Sequence, residues 1–591
     1  MALVDWLVVA AYMVFTIVLG VLLSRRASKS MEDFFVSGRS LPWWLAGTSM
    51  AATTFSIDTP LYVAGVVGSR GIAGNWEWWA FGFGHVLLIY LFARLWRRSE
   101  VVTDAQLIEM RYGGRLASAL RGIKAFLFAV PINCIGVGYI MLAAVKVIGT
   151  LGIWEAMGIA PGQQVGGMDP KLLLVIGLSV FVLIYTGFSG LWGVVITDFF
   201  QFFLALFGAI LVAYFAIKSP EIGGLRNLSE LAQANTSFDV LAFVPLSFNG
   251  EGLFSVAWSA FAGISATTFA AYVFLQWWTF RRSDGGGEFI QRIVAAKSES
   301  EAVKAAWLFN IMHYIVRTWP WILVALAAVV LYPNLEDKEL GYPMLMIDFL
   351  PPGLLGLVVA SLFAAFMSTI STQINWGASY LVNDLYARFI RPDATQKQLI
   401  VAGRVASIII AVVGAAAAFF SDSVANIFRL VIAIGTGPGV VLILRWFWWR
   451  INAAAELSAM LAGFFVGLFT SVIPVIMVPD FGTRLLIIVA ITTVIWVAVM
   501  YLTPPESDET LIAFYKRVKP GGPGWSRFRE ITGIEGASLK AALKRVVAAS
   551  FILFGLMFAI GASLLYDFQT ALWMAILAAS GGLLLRRWSK S

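Results

Sequence analysis

Apolar runs of about 20 residues recur along almost the whole chain, separated by short polar stretches. Each is long enough to carry a helix across ~30 Å of hydrocarbon. Fifteen spans are read, at 4–24, 42–68, 76–96, 121–150, 171–187, 192–217, 254–281, 305–331, 352–383, 398–420, 422–444, 455–478, 483–503, 546–566 and 569–587. Two of them are interrupted. Span 2, LPWWLAGTSMAATTFSIDTPLYVAGVVG, has a hydroxyl-rich middle, then Asp58 and Pro60, where a continuous helix would lose a hydrogen bond. Span 7, FSVAWSAFAGISATTFAAYVFLQWW, carries small and hydroxyl residues around Gly263. Backbone that leaves the helical ladder at membrane depth persists only where it lines a cavity or coordinates something. The interrupted spans sit five apart, as two inverted five-helix repeats (spans 2–6 and 7–11) would place them. Ordinary packing kinks would leave the same trace.

Composition supports a polytopic all-α membrane protein, with 60% hydrophobic and 13% charged residues, against about 25% charged in soluble domains. The net charge of +8 is mostly topology and calls for no nucleic acid. Basic residues concentrate on one side: Arg25, Arg26, Lys29, the Arg94/Arg97/Arg98 cluster, Arg281, Arg282, Arg292, Arg445 and a stretch across 516–545. The opposite connections hold Arg70, Lys171, Lys218, Arg226, Lys338 and Arg484. The positive-inside rule then sets the N-terminus outside and the C-terminus in the cytoplasm of an inner or plasma membrane. The first span has no basic region before it and no small-residue cleavage site, and reads as a retained anchor. A single cysteine, Cys134, and two histidines, His85 and His313, argue against a disulfide framework, a zinc site or haem. Segment 504–545 reads as a cytoplasmic connector with a surface helix, and SDGGGEF at 283–289 as a short flexible insert.

Intramembrane acids are costly and usually functional. Asp198 lies in SGLWGVVITDFFQ with no basic neighbour in sequence, so a bound cation is one way to compensate it; a first-turn interfacial acid is the other. Glu77 heads span 3 in NWEWWAFG. His313 and Arg317 share a helix face, which packing and snorkelling explain as well as transport does. Within FMSTISTQIN, Ala365, Ser368, Thr369 and Thr372 follow helical spacing, and Ser368, Ser371 and Thr372 form an overlapping face. Hydroxyl and carbonyl oxygens suit a weakly held alkali cation. Helix packing and bonding back to the helix's own carbonyls account for such hydroxyls too.

The stretches YTGFSGLWGVVITDFFQ (185–201), QRIVAAKSESEA (291–302) and LPPGLLGLVVASLFAAFMSTISTQINWGASYLVNDLY (350–386), with DFFVSGRSLPWWLAGTSMAATTFS (33–56), resemble the sodium:solute symporter family over roughly 1–505. The resemblance implies a LeuT-like five-plus-five inverted repeat with one extra N-terminal and about four extra C-terminal helices. The corresponding division is an N-terminal helix in 1–30, a core at 42–450 (repeats 42–217 and 254–450), two helices at 455–503, the connector 504–545 and two helices at 546–591. It implies Na+ as coupling ion and no other cofactor. One sodium set matches Ala52, Phe55, Ala365, Ser368 and Thr369; a second, found in some members, matches Asp198, Ser368, Ser371 and Thr372. Thr54, Thr59 and Glu77 match positions that contact sugar in some relatives, and Trp76, Trp79, Trp258 and Phe261 offer gates or stacking faces. The glycines of QWWTFRRSDGGGEFIQR depart from the family pattern, so contacts on span 7 do not transfer. The expected activity is sodium-driven import of a small polar solute (a sugar, amino acid or carboxylate) through the lipid bilayer by alternating access. A solute-sensing transceptor and a sodium-permeable channel are the alternatives; an enzyme is not expected, since no nucleophile–base pair or metal cluster appears. The oligomeric state is left open by the sequence.

Overall fold

In hydrocarbon every backbone N–H and C=O must be paired within its own segment, so the apolar runs fold as helices. The computed structural model describes the chain except residues 25–36, 102, 153, 155–157, 161–162, 187–190, 249–255 and 591. Arg25, Arg26 and Lys29, and parts of the two motifs at 33–56 and 185–201, lie outside the described residues. The first half contains α1 (Leu3–Ser24), α2 (Trp43–Thr53), α3 (Asp58–Arg70), α4 (Ile72–Ser99), α5 (Gly114–Thr150), α6 (Pro170–Thr186) and α7 (Leu191–Ile217). A short antiparallel hairpin follows, β1 (Leu246–Phe248) with β2 (Val256–Trp258). The rest comprises α8 (266–279), α9 (Gly287–Ala295), α10 (Glu299–Leu331), α11 (Leu354–Ile390), α12 (Gln396–Phe419), α13 (Val424–Gly435) and α14 (Gly439–Phe447). Beyond these lie α15 (Ala453–Val472), α16 (Phe481–Leu502), α17 (Asp508–Val518), α18 (Leu539–Leu564) and α19 (Phe568–Lys590). Among the described residues, ten helices are long and apolar enough to cross a membrane on their own, and every expected span but the seventh, whose helix begins only at Ala266, falls on a helix or a pair of half-helices.

Three spans are broken, and two of the breaks meet each other. Between α2 and α3 the helix stops at Thr53, and Pro60 sits in the first turn of α3, where its missing N–H costs little. Span 7 departs from expectation. It starts only at Ala266, capped by Ser265, whose hydroxyl accepts from the Thr268 N–H at 3.2 Å. It breaks at 280–286 and not at Gly263. The glycine insert is itself the break, with Gly285 and Gly286 at φ of 132° and 76° that side-chain-bearing residues rarely adopt. Gly263 serves close packing instead: a Cβ there would lie 2.8 Å from the Arg70 carbonyl oxygen. Span 11 breaks between α13 and α14, and the two unwound stretches pair. The Arg281 N–H donates to the Gly435 oxygen and the Gly437 N–H to the Thr279 oxygen, both at 2.8 Å.

Small residues set the helix spacing, because packing between membrane helices depends on close approach. Gly414 of α12 fits against Val137 of α5, where a Cβ would come within 2.3 Å. Asp5 accepts from the Gly353 and Gly356 N–H groups at 2.7 and 2.8 Å, which fastens α1 to the N-terminus of α11. A carboxylate is stabilised at a helix N-terminus. On the far side, α18 packs on α4 and α10, with Trp319 Nε1 donating to the Met557 oxygen at 2.8 Å. The 504–545 segment is more than a connector: α17 buries Leu511, Phe514 and Tyr515, and Trp525 donates to the Trp446 oxygen at 2.8 Å.

Candidate functional site

The carbonyls released where α2 ends need partners, and two side chains supply them. Arg317, on α10 and fully buried, donates to the Ala51 and Thr54 oxygens at 2.8 Å each and to the Thr54 hydroxyl at 3.0 Å. Its guanidinium stacks on Phe55 and Trp321. It does not snorkel. Thr369, on α11, donates to the Phe55 and Thr53 oxygens at 3.3 and 3.5 Å. The break is therefore held from both sides, with Ala52, Phe55, Ala365, Ser368 and Thr369 all buried around it.

One residue before Thr369, Ser368 donates to an oxygen of Asp198, whose other oxygen accepts from Ser49 at 2.6 Å. Ser371 donates back to the Ser368 carbonyl at 3.1 Å, while the buried Thr372 hydroxyl has no hydrogen-bond partner among the described residues. Asp198 is not without a cation. Arg292, on α9, lies 3.8 Å from it and donates through Nε to Ser49 at 3.2 Å. The sequence counted Arg292 as a loop charge; it is 1% exposed. Ser49 and Arg292 were missed, although Arg292 stands in the QRIVAAKSESEA motif.

A cavity of about 180 Å³ lies against both breaks, lined by Thr54, Asp58, Thr59, Tyr62, Arg281 and Gln373 among others. Thr54 and Thr59 are among its lining residues. The other five expected positions, Glu77, Trp76, Trp79, Trp258 and Phe261, do not line it. Glu77 is fully buried in an ion-pair cluster, with Arg429 at 2.8 Å and Arg70 at 3.4 Å. Trp76 stacks on Phe83 and Phe554 and donates to the Phe243 oxygen, so it ties α4 to α18. Trp258 lies on β2, in contact with Phe269, and Phe261 is 68% exposed. Both lie in the apolar run read as span 7, but the helix there begins after them.

Broken helices packed about a common cavity, a buried hydroxyl-and-carboxylate cluster and a sheath of apolar helices define an integral membrane carrier. The sequence profile of the sodium:solute symporter family matches residues 34–463, and the chain belongs to that family. It is a sodium-coupled symporter of a small solute, not an enzyme. It is similar to the sodium/glucose cotransporter of Vibrio parahaemolyticus, 26% identical over 504 residues covering 80% of this chain and 86% of the relative. Sodium/glucose cotransporter 4 of Danio rerio is 24% identical over 563 residues, covering 86% and 80%. Human sodium/myo-inositol cotransporter 2 is 22% identical over 519 residues, covering 80% and 70%. Among solved structures, a Na+-coupled sialic acid symporter in a substrate-bound outward-open state aligns with a TM-score of 0.64 at 21% identity. The alignment covers 86% of this chain and 99% of that one, a likeness of fold. The architecture is the expected LeuT-like inverted repeat.

Proposed function

We propose that this chain imports a small polar organic solute across the cell membrane by alternating access, N-terminus outside and C-terminus in the cytoplasm. The core is 42–450, with repeats at 42–217 and 254–450, followed by helices at 455–503 and 546–591. One sodium is held by the carbonyls of Ala52, Phe55 and Ala365 and the hydroxyls of Ser368 and Thr369. The carrying observation is the Thr369 hydroxyl 3.3 Å from the Phe55 oxygen, which brings the hydroxyl face of α11 against unwound backbone. Sodium there bridges the two elements in place of the direct hydrogen bond and favours the solute-competent arrangement. Ion and solute then stabilise each other by a reciprocal coupling of about 1–3 kcal/mol. The membrane potential adds about 2.3 kcal/mol per charge per 100 mV. Asp198, Ser368, Ser371 and Thr372 form the second sodium set.

The test is sodium activation of uptake in proteoliposomes. A Ser368→Ala or Thr369→Ala carrier keeps its fold and needs about tenfold more sodium or beyond, the loss of one ligand being worth at least ~1.4 kcal/mol. Wild-type activation curves in both variants would refute the assignment.

A further inference from the structure

We infer that the solute is a carboxylate-bearing molecule anchored by Arg281. This deepens the symporter reading above and rests on it. Arg281 stands in the unwound stretch between α8 and α9, its N–H fixed on the Gly435 oxygen at 2.8 Å. It lines the central cavity, is 5% exposed, and has no ion-pair partner among the described residues. Its buried Nε has no hydrogen-bond partner. The guanidinium is held against the Phe128 and Phe280 rings, 5.3 and 5.4 Å from their centroids. A planar fork kept in place by aromatic faces, with its edge donors free, matches a carboxylate in two-point geometry.

The charges around the cavity agree. Arg282 is spent on Glu288 at 2.6 Å, and Arg317 on the Ala51 and Thr54 carbonyls of the α2/α3 break at 2.8 Å each. Among the described lining residues Arg281 is the arginine whose side chain has neither an ion pair nor a hydrogen-bond acceptor, and a buried uncompensated charge is costly unless a ligand compensates it. The same lining offers Asp58 and the Tyr62 hydroxyl, which has no hydrogen-bond partner among the described residues. These accept or exchange hydrogen bonds with hydroxyl or ammonium groups at the far end of the solute. A second cavity, of about 530 Å³, carries Arg70, Arg429 and Arg484 against Asp480. Glu77, the sugar-contact position by resemblance, is meanwhile taken up by Arg429 and Arg70.

The experiment uses the full chain in proteoliposomes and reads radioactive sodium uptake stimulated by paired solutes that differ in one carboxylate. Gluconate is set against glucose, and each of a panel of hydroxy and amino acids against its amide. The expected result is stimulation by carboxylates and none by their neutral partners. Arg281→Gln raises the KM of the stimulating carboxylate about 10- to 100-fold, the range for losing a hydrogen-bonded charged group, with sodium activation unchanged. Arg281→Lys restores part of the loss. Stimulation by the neutral partners alone, or equally by both, overturns the carboxylate assignment and leaves symport standing. Stimulation by no solute of the panel sinks the symporter reading together with this one. Should Arg281→Gln fail to fold, the wild-type comparison and Arg281→Lys still decide.

Discussion

Arg429 on α13 closes on Glu77 of α4 through two contacts, Nε to Oε1 at 2.8 Å and Nη2 to Oε2 at 3.1 Å, with Arg70 of the α3 end at 3.4 Å. Three separate spans meet in one buried carboxylate at the end of the bundle proposed to face outside.

Removing one partner strands a buried charge, which costs about 3–5 kcal/mol, whereas removing both costs less. Glu77→Gln and Arg429→Gln therefore each lower the unfolding temperature in detergent, and the double variant recovers a large part. Strict additivity in this double-mutant cycle would mean that the pair is not coupled.

The same logic applies to Asp198 and Arg292. Asp198→Asn leaves Arg292 uncompensated, and Asp198→Asn/Arg292→Gln regains stability relative to it. With the second sodium set in place, Asp198→Asn also lowers the Hill slope of sodium-activated uptake toward one. An unchanged slope would remove Asp198 from sodium binding.

Gly439 has no room for a side chain, since a Cβ would meet the Thr279 carbonyl carbon at 2.3 Å and the Phe280 oxygen at 2.5 Å. Gly439→Ala forces the paired breaks of α8/α9 and α13/α14 apart, with a loss of about 1–3 kcal/mol or more and of transport. Gly403→Ala, where nothing lies within 4 Å, is the control and is neutral or stabilising by about 0.5–1 kcal/mol. Equal effects from the two would contradict the packing argument.

At the mouth of the 530 Å³ cavity, Asp480 accepts from Ser265, Thr268 and Thr483 hydroxyls and from the Thr483 N–H, between 2.7 and 2.9 Å. Burial pushes its carboxyl up, but these donors together hold it well below the usual carboxylate range. A lowered folded pKa gives stability that is complete above the unfolded pKa and declines as pH falls below it. The unfolding-temperature gap between wild type and Asp480→Asn is thus constant from pH 8 to 5 and shrinks below about pH 4. A gap that narrows within pH 5–8 would show a different titrating group.

Much of the architecture was legible because its signals are local. Apolar run length marks spans, Pro60 after a hydroxyl cluster marks the α2/α3 break, and i, i+3, i+4 spacing puts Ala365, Ser368, Thr369 and Thr372 on one face. Span 7 misled because its small residues around Gly263 resemble a break, while the real one lies in the glycines at 285–286, read as an insert. Trp258 and Phe261, in the same apolar run, lie on a strand and a turn ahead of the helix.

By itself the sequence determined that the chain is a many-span helical membrane protein, which family its motifs belong to, and which hydroxyls share a helix face; hydrophobic periodicity and motif spacing are properties of consecutive residues. Only the tertiary structure decided the electrostatics. Arg292 turns out to face Asp198, Arg317 to hold the carbonyls of the α2 break, Arg429 to occupy Glu77, and Arg281 to line the cavity with no ion pair among the described residues. In a low-dielectric interior the state of each charge depends on which other charge lies within a few ångströms. That neighbour is chosen by helix packing across hundreds of residues, a distance no local pattern encodes.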